Sequence, residues 1–114
     1  MSIKPTIREY LSADGRSYFR EWLDALDFPV RARIQARIFR FETGNLGDHK
    51  SVGRGVREAR VMFGPVYRIY FGKESRSVIV LLLGGDKSSQ ARDIRKAQIL
   101  WKEYLEVTQH GTAN

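Results

Sequence analysis

The sequence predicts a small single-domain α+β fold, in which two N-terminal helices and one C-terminal helix pack on an antiparallel β-sheet. Apolar residues recur at helical spacing from Tyr18 to Leu26, from Val30 to Phe41 and from Ile94 to Leu105. Between the last two of these stretches come three strand-like segments at 56–63, 67–73 and 77–83, separated by short turns. A chain of 114 residues, 42% hydrophobic and 29% charged, supports one core and not two. The expected order is β-α-α-β-β-β-α.

Residues 5–11 form a short first strand, closed by the turn cluster Ser12-Ala13-Asp14-Gly15. Tyr18, Phe19, Trp22, Leu23 and Leu26 then make one apolar helical face, and Pro29 suits the first turn of a second helix. In that helix Val30, Ile34, Ile38 and Phe41 point to the core. Arg33, Arg37 and Arg40 form a stripe beside them, read as a solvated flank, and Arg31 lies on the other side. Gly44 is the natural stop. Residues 44–55 hold four glycines without periodicity and are expected to be a mobile loop.

The strand at 77–83 is apolar on both faces and is expected to be central. Ser88 or Ser89 can cap the last helix, with Asp86 as a further capping candidate and Asp93 in the first turn. Ile94, Ala97, Trp101, Tyr104 and Leu105 form its buried stripe, and both Trp22 and Trp101 are assigned to the core. The domain is expected to span residues 1–106, leaving 107–114 as a flexible tail.

Twenty Lys and Arg against thirteen Asp and Glu give a net charge of +7, which favours a polyanionic partner. The absence of cysteine excludes disulfides, thiolate metal sites and thiol catalysis. Met1-Ser2-Ile3-Lys4-Pro5 lacks the apolar core of a signal peptide, and the longest apolar run, 78–83, is far shorter than the roughly 20 residues that span a bilayer. A cytoplasmic protein without a membrane partner is expected. His49 and His110 are the only histidines and no carboxylates cluster at ligand spacing, so no metal site is expected. The glycine-rich loop lacks the Gly-Lys-Ser/Thr ending of a phosphate loop, no nucleophile elbow is present, and no cofactor is expected.

Cleavage of RNA without a metal fits these residues. RNA carries its own nucleophile, the 2′-hydroxyl, and guanidinium and ammonium groups stabilise the charge that builds on the phosphoryl oxygens. Arg57, Arg60, Arg68 and Lys87 lie on or beside neighbouring strands, with Tyr67 and Tyr70 close by. A two-residue turn at Gly64-Pro65 groups Arg57 with Arg68 and Tyr70, whereas a three-residue turn groups Arg60 with them; the sequence leaves both open. Arg57, Tyr70 and Arg92 are candidate RNA contacts, and His49 is a fourth, reaching substrate from its loop.

Gly55-Val56-Arg57-Glu58-Ala59-Arg60, Gly64-Pro65-Val66-Tyr67-Arg68-Ile69-Tyr70-Phe71 and the run from Leu81 through Gly84-Gly85-Asp86-Lys87-Ser88-Ser89-Gln90 to Ile94 together resemble the RelE/ParE superfamily of toxins. The closest likeness is to its HigB-like branch of addiction-module killer proteins, and Phe19-Arg20-Glu21-Trp22-Leu23 fits the same branch. The resemblance implies a type II toxin–antitoxin pair with a small helix-turn-helix antitoxin as partner. It further implies a ribosome-dependent endoribonuclease that cleaves messenger RNA, with Arg60, Arg68 and Lys87 as catalytic groups and Arg57 as a looser match. A ParE-like inhibitor of DNA gyrase on the same scaffold is the alternative, as is a module that binds antitoxin without being toxic. Two positions depart from the family. Val66 stands where glycine is usual, and a β-branched residue resists positive φ, so the turn is expected to differ or be strained. No counterpart is found for the C-terminal catalytic Tyr or His of some relatives, because Tyr104 lies on a core stripe.

Overall fold

The computed structural model describes the backbone of residues 4–112 and the side chains of residues 4–108. The chain runs β1 (Thr6–Glu9), α1 (Tyr18–Asp24), α2 (Phe28–Glu42), β2 (His49–Ser51), β3 (Val56–Met62), β4 (Val66–Ser75), β5 (Val78–Asp86) and α3 (Gln90–Thr112). A single 3-10 turn, Lys87–Ser89, leads into α3. The α+β class, with two helices between the first strand and the others and one helix after the last, agrees with the sequence.

The strands form one sheet in the order β1-β5-β4-β3-β2. The apolar β5 lies between β1 and β4, as its two-sided hydrophobicity requires. Two expectations need correction. β1 joins β5 in parallel, from Thr6↔Val78 to Glu9↔Leu81, so the sheet is mostly and not wholly antiparallel. Residues 44–55 are also not all loop: β2 pairs antiparallel with β3 from His49↔Ala59 to Ser51↔Arg57. The glycines confine this edge strand to three residues between turns, too short to leave a periodic pattern.

Both faces of the sheet are covered. Phe19 and Leu23 of α1 and Ile34 and Phe41 of α2 pack on Ala59, Val61, Ile69, Phe71, Ile79 and Leu81. Ala97, Leu100 and Trp101 of α3 pack on Val56, Tyr70, Val80, Leu82 and Leu83. Each tryptophan lies against a strand glycine: a Cβ on Gly84 would sit 2.0 Å from the Trp22 ring, and one on Gly72 would sit 2.4 Å from the Trp101 ring. Ser17 caps α1 by accepting from the Arg20 amide, and Gly44 (φ 91°) ends the turn after α2 with its amide on Phe41 O.

α3 runs on to Thr112, through residues 107–112 of the expected tail; residues 113 and 114 lie outside the described residues. Among the described residues no helix is long and apolar enough to cross a membrane.

Candidate active site

The β3–β4 hairpin settles the register. Met62 pairs with Val66, leaving Phe63-Gly64-Pro65 as a three-residue loop, and Arg60 stands directly opposite Arg68. The positive φ of this turn, 68°, falls on Gly64. Val66 is already the first residue of β4, and Arg54 is the one non-glycine with positive φ among the described residues. Of the two outcomes expected at Val66, a different turn or a strained one, strain is absent, because the glycine two positions earlier carries the positive φ.

Pairing Arg60 with Arg68 and Glu58 with Tyr70 puts these four residues on the α3 face of the sheet. On β5 an irregularity shifts the register, so that Tyr70 pairs with Leu83 but Phe71 with Leu81. The extra residue, Leu82, joins Leu83 on the α3 side and re-aims the end of the strand. Gly84 then meets Trp22 on the far face, and Gly85, opposite Arg68, meets Asp93 of α3. A Cβ on Gly85 would stand 2.0 Å from the Asp93 carboxylate, so any other residue here would displace that side chain. Asp86 accepts from the Ser88 amide at 2.8 Å and from its hydroxyl, which holds its carboxyl below the usual range and caps the 3-10 turn that presents Lys87.

Arg68 and Lys87 meet in one shallow cleft of about 440 Å³, lined also by Pro65, Val66, Asp86 and Ser88. Lys87 is exposed. Arg68 is only 8% exposed; its Nη1 donates to Val66 O at 3.2 Å, and its Nε lies 3.6 Å from Glu58 Oε2. Glu58 is completely buried, and its Oε2 accepts from Tyr70 Oη and Gln90 Nε2, each at 3.0 Å. Burial, with the Glu58 charge beside it, pushes the Tyr70 phenol far above its ordinary value.

Arg60 is turned to another partner. Its Nε and Nη2 donate to the two oxygens of Asp48 at 3.1 and 3.2 Å, which raises the guanidinium and holds the Asp48 carboxyl low. Arg37 fixes Asp48 in place. Far from being a solvated flank residue, Arg37 is buried and donates to Leu46 O, Asp48 O and Arg60 O, the last at 2.7 Å.

Three of the expected RNA contacts are not brought to this cleft. Tyr70 is 0% exposed, spent on Glu58 beneath α3. Arg57 pairs with Phe71 and so points to the α2 face, away from Arg60 and Arg68. His49, on β2 and not in a mobile loop, sits on that same face, its ring 6.1 Å from the Phe71 ring and its Nδ1 at 3.0 Å from Gly47 O. The fourth, Arg92, is exposed in the first turn of α3. Among the described residues no group of three or more His, Cys, Asp or Glu is arranged to hold a metal ion.

Sequence reasoning passed over Glu58, Gln90, Asp48 and the true role of Arg37. Two of them left a signal: Glu58 alternates with Arg60 on one strand face, and Arg37 continues the Val30-Ile34-Phe41 seam at helical spacing.

No family model matches the chain, and no solved structure matches it significantly. Over 86 residues it is 43% identical to an uncharacterized protein of Haemophilus influenzae, an alignment covering 75% of this chain and 87% of the relative. At that identity over most of both lengths, the chain belongs to the same protein family as its Haemophilus influenzae relative.

Proposed function

We propose that this protein is a toxin of the RelE/ParE superfamily, HigB-like, that cleaves messenger RNA on the ribosome and is neutralised by a cognate antitoxin. The observation that carries this reading is the convergence of Arg68 and Lys87 on one cleft, with Arg60 directly opposite Arg68. A phosphodiester bound there would meet a guanidinium on one side and an ammonium on the other. As O2′ attacks phosphorus it gives up its proton to solvent and the bond to O5′ breaks; both cations stabilise the added charge on the phosphoryl oxygens, and Lys87 gives the leaving O5′ a proton that it regains from water. A 2′,3′-cyclic phosphate and a free 5′-hydroxyl result.

The excess of positive charge supports attraction to the ribosome and its message, with cytoplasm as the place of action. Phe28 and Phe39 of α2 are 72% and 66% exposed, apolar surface of the kind a partner protein covers.

The test is expression of the chain alone from a tightly controlled promoter, followed within minutes by mapping of new messenger 5′ ends. Cuts within translated frames that vanish in Lys87→Ala and Arg68→Ala are expected. Growth arrest with intact messages would move the target to gyrase, and unimpeded growth would leave an antitoxin-binding module without toxicity.

A further inference from the structure

We propose that Glu58 is the positioning residue of this cleft: its buried carboxylate orients the Arg68 guanidinium toward bound phosphate and, through Gln90, holds the turn that carries Lys87. The inference rests on the reading of the Arg68–Lys87 cleft as the place where RNA is cut.

A fully buried carboxylate is costly unless paired, and an apolar side chain of the same volume would serve stability as well or better. Glu58 lies on the sheet face that carries the apolar cluster of Val56, Tyr70, Leu83 and Ala97. Its surroundings are instead built from three polar residues on two elements. Tyr70 and Arg68 come from β4 and Gln90 from the first residue of α3. Both neutral donors bind Oε2, the oxygen that also faces Arg68, while Oε1 is buried without a hydrogen bond. The charge is thus fixed on the side of the guanidinium.

Arg68 is divided accordingly. Nε is buried and has no hydrogen bond, with the Glu58 charge beside it; Nη1 is on Val66 O; Nη2 makes no hydrogen bond among the described residues, in a side chain that lines the cleft. An arginine without that carboxylate has other rotamers open to it, and its fork would no longer be preset for a phosphate. The second arm runs through Gln90, whose side chain binds Glu58 while its backbone amide binds Lys87 O. One carboxylate therefore ties both cations of the cleft to β3.

Glu58 also sets the strength of the site. Its negative charge offsets that of Arg68, so removing it should tighten phosphate binding while loosening the geometry that cleavage requires.

The experiment follows the Arg68 Nε–Hε resonance of nitrogen-15-labelled protein, identified by its loss in Arg68→Lys, in wild type and Glu58→Gln. Inorganic phosphate is the titrant, and cleavage of a translated message is assayed in parallel. In Glu58→Gln with an unchanged backbone spectrum, Hε is expected to exchange with water roughly tenfold faster. Phosphate is expected to bind roughly threefold tighter and cleavage to slow. An unaltered Arg68 resonance with unaltered phosphate affinity overturns the proposal, whatever happens to cleavage. Should Glu58→Gln not fold, Tyr70→Phe and Gln90→Met each remove one tether; an unmoved Arg68 signal in both overturns it equally. A wild-type protein that cuts no RNA would remove the ribonuclease reading, yet the resonance would still decide whether Glu58 positions Arg68.

Discussion

Arg60 and Arg68 face each other across the β3–β4 hairpin as direct Cα partners, and each guanidinium is held by a carboxylate of its own. Like charges opposite one another on a sheet repel. Asp48 draws Arg60 toward β2, and Glu58 holds Arg68 from beneath. Asp48 is therefore a competitor for any phosphate that approaches Arg60. Asp48→Asn should release that arginine and raise affinity for single-stranded RNA severalfold at low salt. The added contact should steepen the dependence of log K on log salt by about 0.7. Anisotropy of a labelled oligoribonucleotide across a salt series measures both, and identical curves for the two proteins would show that Arg60 does not meet RNA.

The two cations of the cleft differ as mutational probes. Lys87 is exposed and makes no described hydrogen bond or ion pair, so Lys87→Ala should lower cleavage by about 10²–10³-fold with little loss of stability. Arg68→Ala removes the one cation that lies beside the buried Glu58 carboxylate among the described residues and should cost about 3–5 kcal/mol as well as activity. Paired urea denaturation and cleavage assays separate the two effects. Wild-type cleavage by Lys87→Ala would remove Lys87 from the site.

Val66 is ordinary extended backbone at the start of β4, since Gly64 carries the positive φ of the turn. Val66→Gly should thus bring no gain in toxicity and should lower stability by about 1 kcal/mol through lost β propensity. Growth arrest on induction and a denaturation curve check the two halves; a more toxic variant would mean that this position limits the site after all.

The helices and every strand but β2 were legible because their apolar spacing is strong: β5 reads as central from Val78 to Leu83, and α1 shows its face in Phe19 and Leu23. Arg60, Arg68 and Lys87 were legible as basic residues near one turn. Which of them converge was not, because a one-residue change in loop length moves Arg57 to the opposite face. Tyr70 and Arg37 were misjudged for one reason. Polar side chains look solvated in a sequence unless their buried partners, here Glu58 and three backbone carbonyls, are known in advance.

Arg37 organises the far side of the hairpin with no carboxylate among the described residues at hydrogen-bond distance, its charge solvated by the carbonyls of Leu46, Asp48 and Arg60. Burial pulls its proton affinity down, and the ring of carbonyls is what the cation needs there. Arg37→Met keeps the stem and removes the hydrogen bonds to all three carbonyls, of which Asp48 O retains the Arg60 amide, at a cost of about 2–3 kcal/mol. Because Asp48 then loses its anchor, exchange of the Arg60 amide, which binds Asp48 O, should quicken more than exchange in β5. Equal acceleration in both places would reduce Arg37 to a general packing residue.

Alkaline pH should expose a different weak point. Tyr10 donates to Glu103 at 2.8 Å, joining β1's end to α3, and burial followed by that hydrogen bond to a carboxylate pushes its phenol up to about 12. An unfolded tyrosine titrates near 10, so the folded state keeps its proton over a window in which the unfolded state has lost it. Stability from this group is fully present below about pH 10 and is lost as pH rises through about 12, a decline of about 1–2 kcal/mol. Burial raises Tyr70 and Tyr104 in the same direction, so they add to the slope. Tyr10→Phe cannot ionise, and its urea-unfolding free energy should fall less steeply between pH 10 and 12 than that of the wild type. Parallel slopes would mean that Tyr10 titrates alike in both states and that its bond to Glu103 does not persist in solution.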